Sequence, residues 1–517
     1  MLGIALLAAF ALGFFTHYYG WYETPLHWGT ALLREPLAFP GAITTLWRAR
    51  ATLPVMSLEI RFNDYQRLSS LRDRARQSGV HVPFEDEAVR AVMVSNTGQR
   101  HTVALRLPGG PATLADGEAW TLELRQGDAG DWLRLIPVDE TRSTFAWQQI
   151  GYLNALRQEG FAAATHTPVR LEVNGAPWGL YILETPASVE GAVFFDAQAV
   201  WEAQAAGEPV AEGGFRYATV ASTDALSPTL QAAAAHLRAV QLGEHALSEV
   251  CDVASLGRFL ALTALWTGQP APDWRTLRWR YDPATHLLAP VGVAQPARLS
   301  SPQAWDAPAP LPEAFYDDPA VQAAYARALT ELASPAYLEH LYRTSGATLE
   351  QQWLALRTAS PTPSRVAPPW DSLERHQRAM RARLAPQHAL SATLEPDGPD
   401  LIVQLVNLHA FPLHIVGLDA GGAALHPLDP AWVVAADRQR LVEAGDDGAQ
   451  PRFVLRAAAG AQVHPVRLRL PWHLAAAGGD TLFIVCRLWE AGGPELRIPV
   501  LEPAPYSPEA ETTKIVP

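Results

Sequence analysis

A stretch with the pattern of a β-hairpin, residues 169–184, limits the possible folds more than any other segment. Val169, Leu171 and Val173 alternate with charged residues, and an Asn-Gly pair, which is preferred in two-residue hairpin turns, comes next. A second apolar strand follows over 180–183. Since successive side chains of a strand point to opposite faces, the segment predicts two paired strands with one face on a core and the other in water.

The length and charge of the chain bound the fold and exclude one class of partner. At 517 residues the chain is too long for one hydrophobic core, which predicts two or three domains. Its 48% apolar and 18% charged residues are typical of a globular protein. The net charge of −13 argues against nucleic-acid binding, which needs a clustered basic surface. The only lysine is Lys514, so no lysine of the folded body can bind a nucleotide phosphate.

The first 22 residues have the composition of a membrane-spanning segment. An uncharged apolar run, 2–15, continues into an aromatic cluster at 18–22 and supplies the roughly twenty residues that a bilayer requires. A cleavable signal peptide is the alternative, but the run lacks a basic start and a small-residue cleavage site. We therefore predict a retained transmembrane or signal anchor over 1–22 and a juxtamembrane linker over 23–53. By the positive-inside rule, Arg34 downstream of the run favours a cytoplasmic body.

The remainder of the chain changes from strand-rich to helix-rich and back to strand-rich. Alternating segments between 56 and 124 predict strands, interrupted by one helix at 63–77. Beyond the hairpin, helical periodicity predicts helices at 229–242, 254–266, 319–343 and 370–384. From 391 onwards, short apolar segments separated by Gly, Pro and Asp predict an all-β sandwich of immunoglobulin type. The predicted divisions are a body over 54–388, a β-sandwich over 389–504 and a disordered tail over 505–517.

The cysteines and histidines give little support for a disulfide framework or a zinc site. Cys251 and Cys486 fall in different predicted domains, which leaves one inter-domain bridge or, as we favour, two unpaired buried thiols. His409 and His414 have a spacing that metal sites use, but no cysteine pair accompanies them, so the sequence favours strand or loop residues over zinc ligands. His166 and His286 are interpreted as solvated loop histidines.

The hairpin also carries a family resemblance. Its letters, VRLEVNGAPWGLYILE, resemble the "xNGxxxGLYxLxE" segment of the spore-coat protein H (CotH) kinase-like family. The resemblance spans roughly 54–386 and continues in LRLPGG at 105–110, GEAWTLE at 117–123, and DWRTLRWRYDP at 273–283. It implies an α+β fold with a kinase-like bilobal body, phosphoryl transfer as the family's chemistry, and a body on the outer side of the cell membrane.

Several positions that the resemblance assigns to phosphoryl transfer hold a different residue type. The positions that depart from the family pattern are Pro108, Gly110, Ala119, Thr276 and Gln295. They replace an arginine, an aspartate, the nucleotide lysine, an asparagine and the metal aspartate, respectively. Phosphoryl transfer depends on a cation at the phosphates and on oxygen ligands for Mg²⁺, and the loss of one charged ligand typically costs a few kcal/mol of barrier. An ordinary CotH-type kinase is therefore disfavoured.

An active enzyme would need substitute residues. Asp273 is the candidate base, and the candidate nucleotide-binding residues are Arg106, Arg125 and Glu184. Asp282 and Asp306 are the candidate metal ligands, with ATP and Mg²⁺ or Mn²⁺ as cofactors. For Glu184 a structural role, tying the hairpin to its neighbour, is the favoured alternative.

The sequence as a whole predicts a membrane-anchored, single-pass protein of the bacterial cell envelope with its body outside the cytoplasm. Because the catalytic positions have changed, we expect a CotH-like pseudokinase that binds or scaffolds an envelope protein or a surface polymer and needs no cofactor. One alternative is an active atypical kinase that phosphorylates envelope or secreted proteins. A second is an accessory component of a polymer synthesis or export assembly.

Overall fold

The computed structural model describes most of the folded part of the chain. The described ranges are 48–49, 52–78, 87–95, 98–108, 120–127, 132–138, 140–187, 193–196, 232–233, 235–236, 239–240, 244–268, 277–293, 318–358, 368–384, 389–397, 400–409, 411–420, 425–443, 452–456, 465–471, 482–489 and 495–501. The predicted anchor over 1–22 and the predicted tail over 505–517 lie outside them.

The helices and strands follow one another in a mixed order. The helices are α1 (Phe62–Ser78), α2 (Glu140–Gln158), α3 (Leu247–Val250), α4 (Val253–Thr267), α5 (Pro319–Ala333), α6 (Pro335–Arg357), α7 (Trp370–Leu384) and α8 (Arg438–Leu441). The first strands are β1 (Val55–Ile60), β2 (Val89–Val94), β3 (Arg100–Arg106), β4 (Leu122–Gln126), β5 (Leu133–Pro137), β6 (Thr165–Val173), β7 (Ala176–Thr185), β8 (Val193–Asp196), β9 (Arg278–Asp282) and β10 (Leu287–Val291). The later strands are β11 (Leu390–Asp397), β12 (Asp400–Asn407), β13 (Leu413–Asp419), β14 (Val442–Glu443), β15 (Arg452–Leu455), β16 (Val466–Leu470), β17 (Phe483–Leu488) and β18 (Leu496–Pro499). Short 3-10 helices lie at Pro430–Trp432 and Ala435–Asp437.

The chain divides into two compact units. The first contains 1–239, 262–304 and 335–376, and the second contains 240–261, 305–334 and 377–517.

Seven strands of the first unit close into a barrel in the order β1-β2-β3-β4-β5-β7-β6. The barrel closes because β1 pairs antiparallel with β2 and parallel with β6, so that Leu58 lies opposite both Met93 and Val173. Alternate residues point inwards and form the core, as strand geometry requires. The core residues without exposed surface are Leu58, Leu105, Leu122, Leu124 and Leu135.

The predicted hairpin supplies two strands of this barrel. β6 and β7 pair antiparallel across a turn in which Asn174 and Gly175 have φ values of 52° and 78°. Positive φ at both positions is what a type I′ turn demands, and Asn-Gly is the pair that tolerates it best. The Asn174 side chain also accepts a hydrogen bond from the Ile60 amide at 2.7 Å, which ties the turn to the end of β1. The hairpin prediction is confirmed.

Two helical layers accompany the barrel in the first unit. α1 buries Leu68, Leu71 and Ala75, and Tyr65 stacks on Trp120 with ring centroids 5.5 Å apart. α2 buries Trp147, whose indole N–H donates to the Leu349 carbonyl of α6 at 3.0 Å. A three-stranded sheet, β10-β9-β8, completes this unit.

The second unit combines helices with two further sheets. One sheet has the order β11-β12-β16, and the other has the order β14-β15-β13-β17-β18. The start of α4 packs tightly on α5, since a Cβ atom at Gly257 would lie 2.5 Å from the Ala324 carbonyl carbon. Asn407 lies at the end of β12, and its side-chain amide donates hydrogen bonds to the carbonyls of Phe411, Leu455 and Arg456.

The predicted fold class is wrong. The chain has a mixed α and β fold whose first strands form a closed barrel, not the strand-rich half of a kinase-like bilobal body. The cause is the parallel pairing of β1 with β6, which removes both edges of the sheet. The C-terminal strands are likewise not a separate all-β immunoglobulin-like sandwich, because the same compact unit contains helical segments. Within the described ranges, no helix is long and apolar enough to cross a membrane.

Most individual elements lie close to their predicted positions, with one break. The helix predicted over 319–343 is two helices, because α5 ends at Ala333, the following Ser334 has a non-helical ψ of 135°, and Pro335 begins α6. The predicted division of the chain at 53, 388 and 504 stays a prediction.

Candidate functional site

A row of alternating basic and acidic side chains crosses five adjacent strands on the outer face of the barrel. Arg106 of β3 lies directly opposite Glu123 of β4, which lies opposite Arg134 of β5. Arg134 lies opposite Glu184 of β7, and Glu184 lies opposite His166 of β6. We call these five residues the charge ladder. Directly opposed residues interact most strongly in a sheet, so the register itself brings unlike charges together.

The side chains of the charge ladder form a continuous chain of contacts. Arg106 Nε is 3.0 Å from Glu123 Oε2, and an Arg134 guanidinium nitrogen is 3.2 Å from Glu123 Oε1. The other Arg134 nitrogen is 3.7 Å from Glu184 Oε1, and Glu184 Oε2 is 2.8 Å from His166 Nε2. Each carboxylate is thus held between two nitrogen donors.

The charge ladder is largely shielded from water. The side chains of Glu123, Glu184 and His166 are only 4–5% exposed, and those of Arg106 and Arg134 are 14% and 17% exposed. Charges at such depth interact more strongly than surface charges, but only while each has its partner. The ladder is therefore a set of mutually dependent residues, since removing one member leaves a buried charge uncompensated.

An aromatic ring completes one end of the charge ladder. The guanidinium of Arg106 lies 3.8 Å from the ring centroid of Trp132, and that of Arg125 lies 4.6 Å from the same centroid. Cation–π contacts at these distances are attractive. Trp132 thus holds two of the three predicted nucleotide-binding residues against one ring.

A small cleft borders the other end of the charge ladder. It is lined by Ala164, Glu184, Pro186, Ala187, Arg278, Val291, Gly292 and Val293. The wall formed by Gly292 lies against β6, because Gly292 N–H donates to the Ala162 carbonyl at 2.8 Å and its carbonyl accepts from Ala164 at 3.0 Å. A Cβ atom at Gly292 would lie 2.5 Å from that of Ala163, so the approach requires glycine.

The chemistry available at this cleft is limited. The His166–Glu184 pair has the geometry in which a carboxylate orients an imidazole. Among the described residues that line the cleft, none carries a hydroxyl or thiol that such an imidazole could activate. The same carboxylate also contacts Arg134, which favours a charge-neutralising role over proton transfer.

The structure brings the three predicted nucleotide-binding residues to one face of the barrel. Arg106 and Glu184 belong to the charge ladder, and Arg125 follows Glu123 on the same face of β4. Pro108, one of the changed positions, is buried just after β3. The remaining predicted residues lie outside the described ranges: Gly110, Ala119, Asp273, Thr276, Gln295 and Asp306.

Asp282, a predicted metal ligand, occupies a turn between β9 and β10. Its side chain accepts a hydrogen bond from the Ala284 amide at 2.8 Å, and this bond lowers the pKa of the carboxyl. His286, at φ 59°, is an exposed residue of the same turn, as predicted. Within the described ranges, no group of three or more His, Cys, Asp or Glu residues is arranged to hold a metal ion.

The interpretation of His166 as a solvated loop residue is wrong. It lies within β6, 7% exposed, because the strand extends four residues further upstream than its apolar alternation indicates. Sequence reasoning also missed Glu123 and Arg134. Each sits between two apolar residues of a short strand, which marks a polar face but gives no strand register.

Both cysteines are buried free thiols. Cys251 is 2% exposed and Cys486 has no exposed surface, and burial raises the pKa of the Cys486 thiol to about 11. The favoured prediction of two unpaired buried thiols is confirmed.

Comparison with known proteins adds no identification. The chain matches no family model and no curated protein at a significant level.

Proposed function

We propose that the protein is a non-catalytic binding or scaffolding protein of the cell envelope and a divergent relative of the CotH proteins. Its body lies outside the cytoplasm, and its partner is an envelope protein or a surface polymer. The family relation rests on the hairpin letters at 169–184 and on the three further motifs at 105–110, 117–123 and 273–283.

One observation carries the non-catalytic part of this proposal: the charge ladder engages the side chains that would have to bind nucleotide. Arg106 contacts Glu123 and Trp132, and both carboxylate oxygens of Glu184 face nitrogen donors. A triphosphate placed at Arg106 would lie beside the Glu123 carboxylate and be repelled by it. Binding would therefore require breaking a shielded ion pair.

The sequence supports the same conclusion independently. The folded body has no lysine, and Ala119 and Gln295 stand where the resemblance implies a nucleotide lysine and a metal aspartate. Neither residue can supply the missing charge. A protein without these charges is better suited to binding a partner than to phosphoryl transfer.

Calorimetric titration of ATP into the full chain, with and without Mg²⁺ or Mn²⁺, tests the proposal. We expect no heat of binding at millimolar nucleotide, because the candidate cations are paired within the protein. The matched variant is Asp273→Ala, which removes the candidate base. Metal-dependent binding by the natural chain that disappears in this variant would overturn the proposal and favour the active atypical kinase.

A further inference from the structure

Among the described residues of the first unit, α1 and the residue before it form the most arginine-rich helix surface. Residues 61–78 contain five arginines and two aspartates, a net charge of +3 in a chain whose net charge is −13. A local charge opposite in sign to that of the whole protein points to a binding surface for anions. The closed barrel beneath provides a rigid base for such a surface.

The packing of α1 exposes three of its four arginines, whereas Arg72 lies over the Trp120 ring, 5.1 Å from its centroid. Leu68, Leu71 and Ala75 are buried against the barrel side of the helix. The exposed residues that define the α1 arginine surface are Arg61, Phe62, Arg67, Arg74 and Arg76. The side chains of Arg61, Arg74 and Arg76 form no hydrogen bond or ion pair with any residue in the described part of the chain.

Phe62 distinguishes this surface from a purely electrostatic one. Its side chain is 74% exposed, more than any other large apolar side chain among the described residues. An exposed aromatic ring on the same helix as several exposed cations suits the boundary between lipid headgroups and acyl chains. A soluble acidic polymer would use the arginines but would leave this ring in water.

We infer that the α1 arginine surface docks on anionic lipid headgroups. Guanidinium groups bind phosphate in a planar, two-bond geometry, and the exposed ring enters the interface. The uncharged apolar run over 2–15, the predicted membrane anchor, precedes α1 in the sequence. The inference rests on the proposed envelope location and adds that the barrel lies with α1 against the membrane.

An environment-sensitive fluorophore on α1 tests this contact directly. Ser70 is exposed on α1, and both natural cysteines are buried, so Ser70→Cys allows selective labelling of the full chain. The labelled chain is mixed with vesicles of phosphatidylcholine, with or without phosphatidylglycerol. We expect a blue shift of the emission only with the anionic lipid, and its loss at high salt.

Charge variants give the size of the effect. Each arginine near an anionic surface strengthens binding roughly 5-fold. The double variant Arg74→Gln with Arg76→Gln should therefore lower the association constant of α1 with anionic vesicles on the order of 25-fold. The matched control is Arg343→Gln with Arg378→Gln, exposed arginines of α6 and α7 whose loss changes the net charge equally. The control should keep the blue shift.

The possible outcomes separate this inference from the proposed function. A label that stays in water on both vesicle types, while the chain itself remains attached, overturns the lipid contact and leaves the envelope scaffold standing. A shift with soluble polyglutamate but not with anionic vesicles also overturns it, in favour of an acidic polymer. Metal-dependent ATP binding together with the blue shift would overturn only the non-catalytic function.

Discussion

Replacement of Glu123 by alanine is expected to lower the free energy of unfolding by about 3–5 kcal/mol, the usual cost of removing one partner from a buried ion pair. Glu123 lies 3.0 Å from Arg106 and 3.2 Å from Arg134, so its removal takes a carboxylate from both arginines. Those arginines are 14% and 17% exposed, so water only partly replaces the lost partner. Chemical denaturation of the natural chain and the variant measures the difference.

The barrel contains a matched control for this variant. Glu59 pairs with Arg100, but their side chains are 49% and 57% exposed. Glu59→Ala should therefore cost less than about 1 kcal/mol, as exposed pairs usually do. Equal losses in the two variants would contradict the view that burial makes the charge ladder important to stability.

Mild acid is expected to destabilise the second unit through His409. The ring is 4% exposed, and burial lowers its pKa from 6.5 to about 4. Its Nε2–H donates to the Arg383 carbonyl at 2.8 Å, and its Nδ1 accepts from the Phe411 amide at 3.0 Å, so the folded state holds the neutral ring. In the unfolded chain the His409 ring binds a proton below about pH 6.5, whereas in the folded chain it binds one only below about pH 4.

The sign and size of this effect follow from the two pKa values. Since the unfolded state binds more protons in this range, the free energy of unfolding has its full value above about pH 6.5 and falls by about 3 kcal/mol as the pH approaches 4. His409→Gln keeps a side-chain N–H for the Arg383 carbonyl but cannot titrate. Chemical denaturation at about pH 7.5 and at about pH 4.5 should show that the free energy of unfolding falls clearly less in the variant than in the natural chain. An identical loss in both chains would exclude His409 as the cause.

Local structure was largely predictable from the sequence because local signals determine it. The helix predicted over 63–77 is α1 at Phe62–Ser78, and the Asn-Gly pair fixed the hairpin turn. The closure of the barrel was not predictable. It depends on β1 pairing with β6 over more than a hundred residues of chain, and nothing in either strand indicates its partner.

The candidate site was predictable only in part, for the same reason. Arg106, Arg125 and Glu184 were singled out one at a time, and the structure brings them to one face of the barrel. Their contacts with Glu123, Arg134 and His166 depend on strand register, which determines the residues that lie opposite each other on neighbouring strands. A family resemblance carried by motif spacing suggested the residues but not their role.

A single variant, Glu184→Gln, tests the central claim most directly when its stability and its nucleotide affinity are measured together. Glu184 is 3% exposed and contacts both Arg134 and His166. We predict a loss of about 3 kcal/mol in the free energy of unfolding, with no binding of Mg²⁺-ATP to either chain. The opposite result would be that the natural chain binds Mg²⁺-ATP and that the variant loses this binding but keeps its stability. That result would contradict the account.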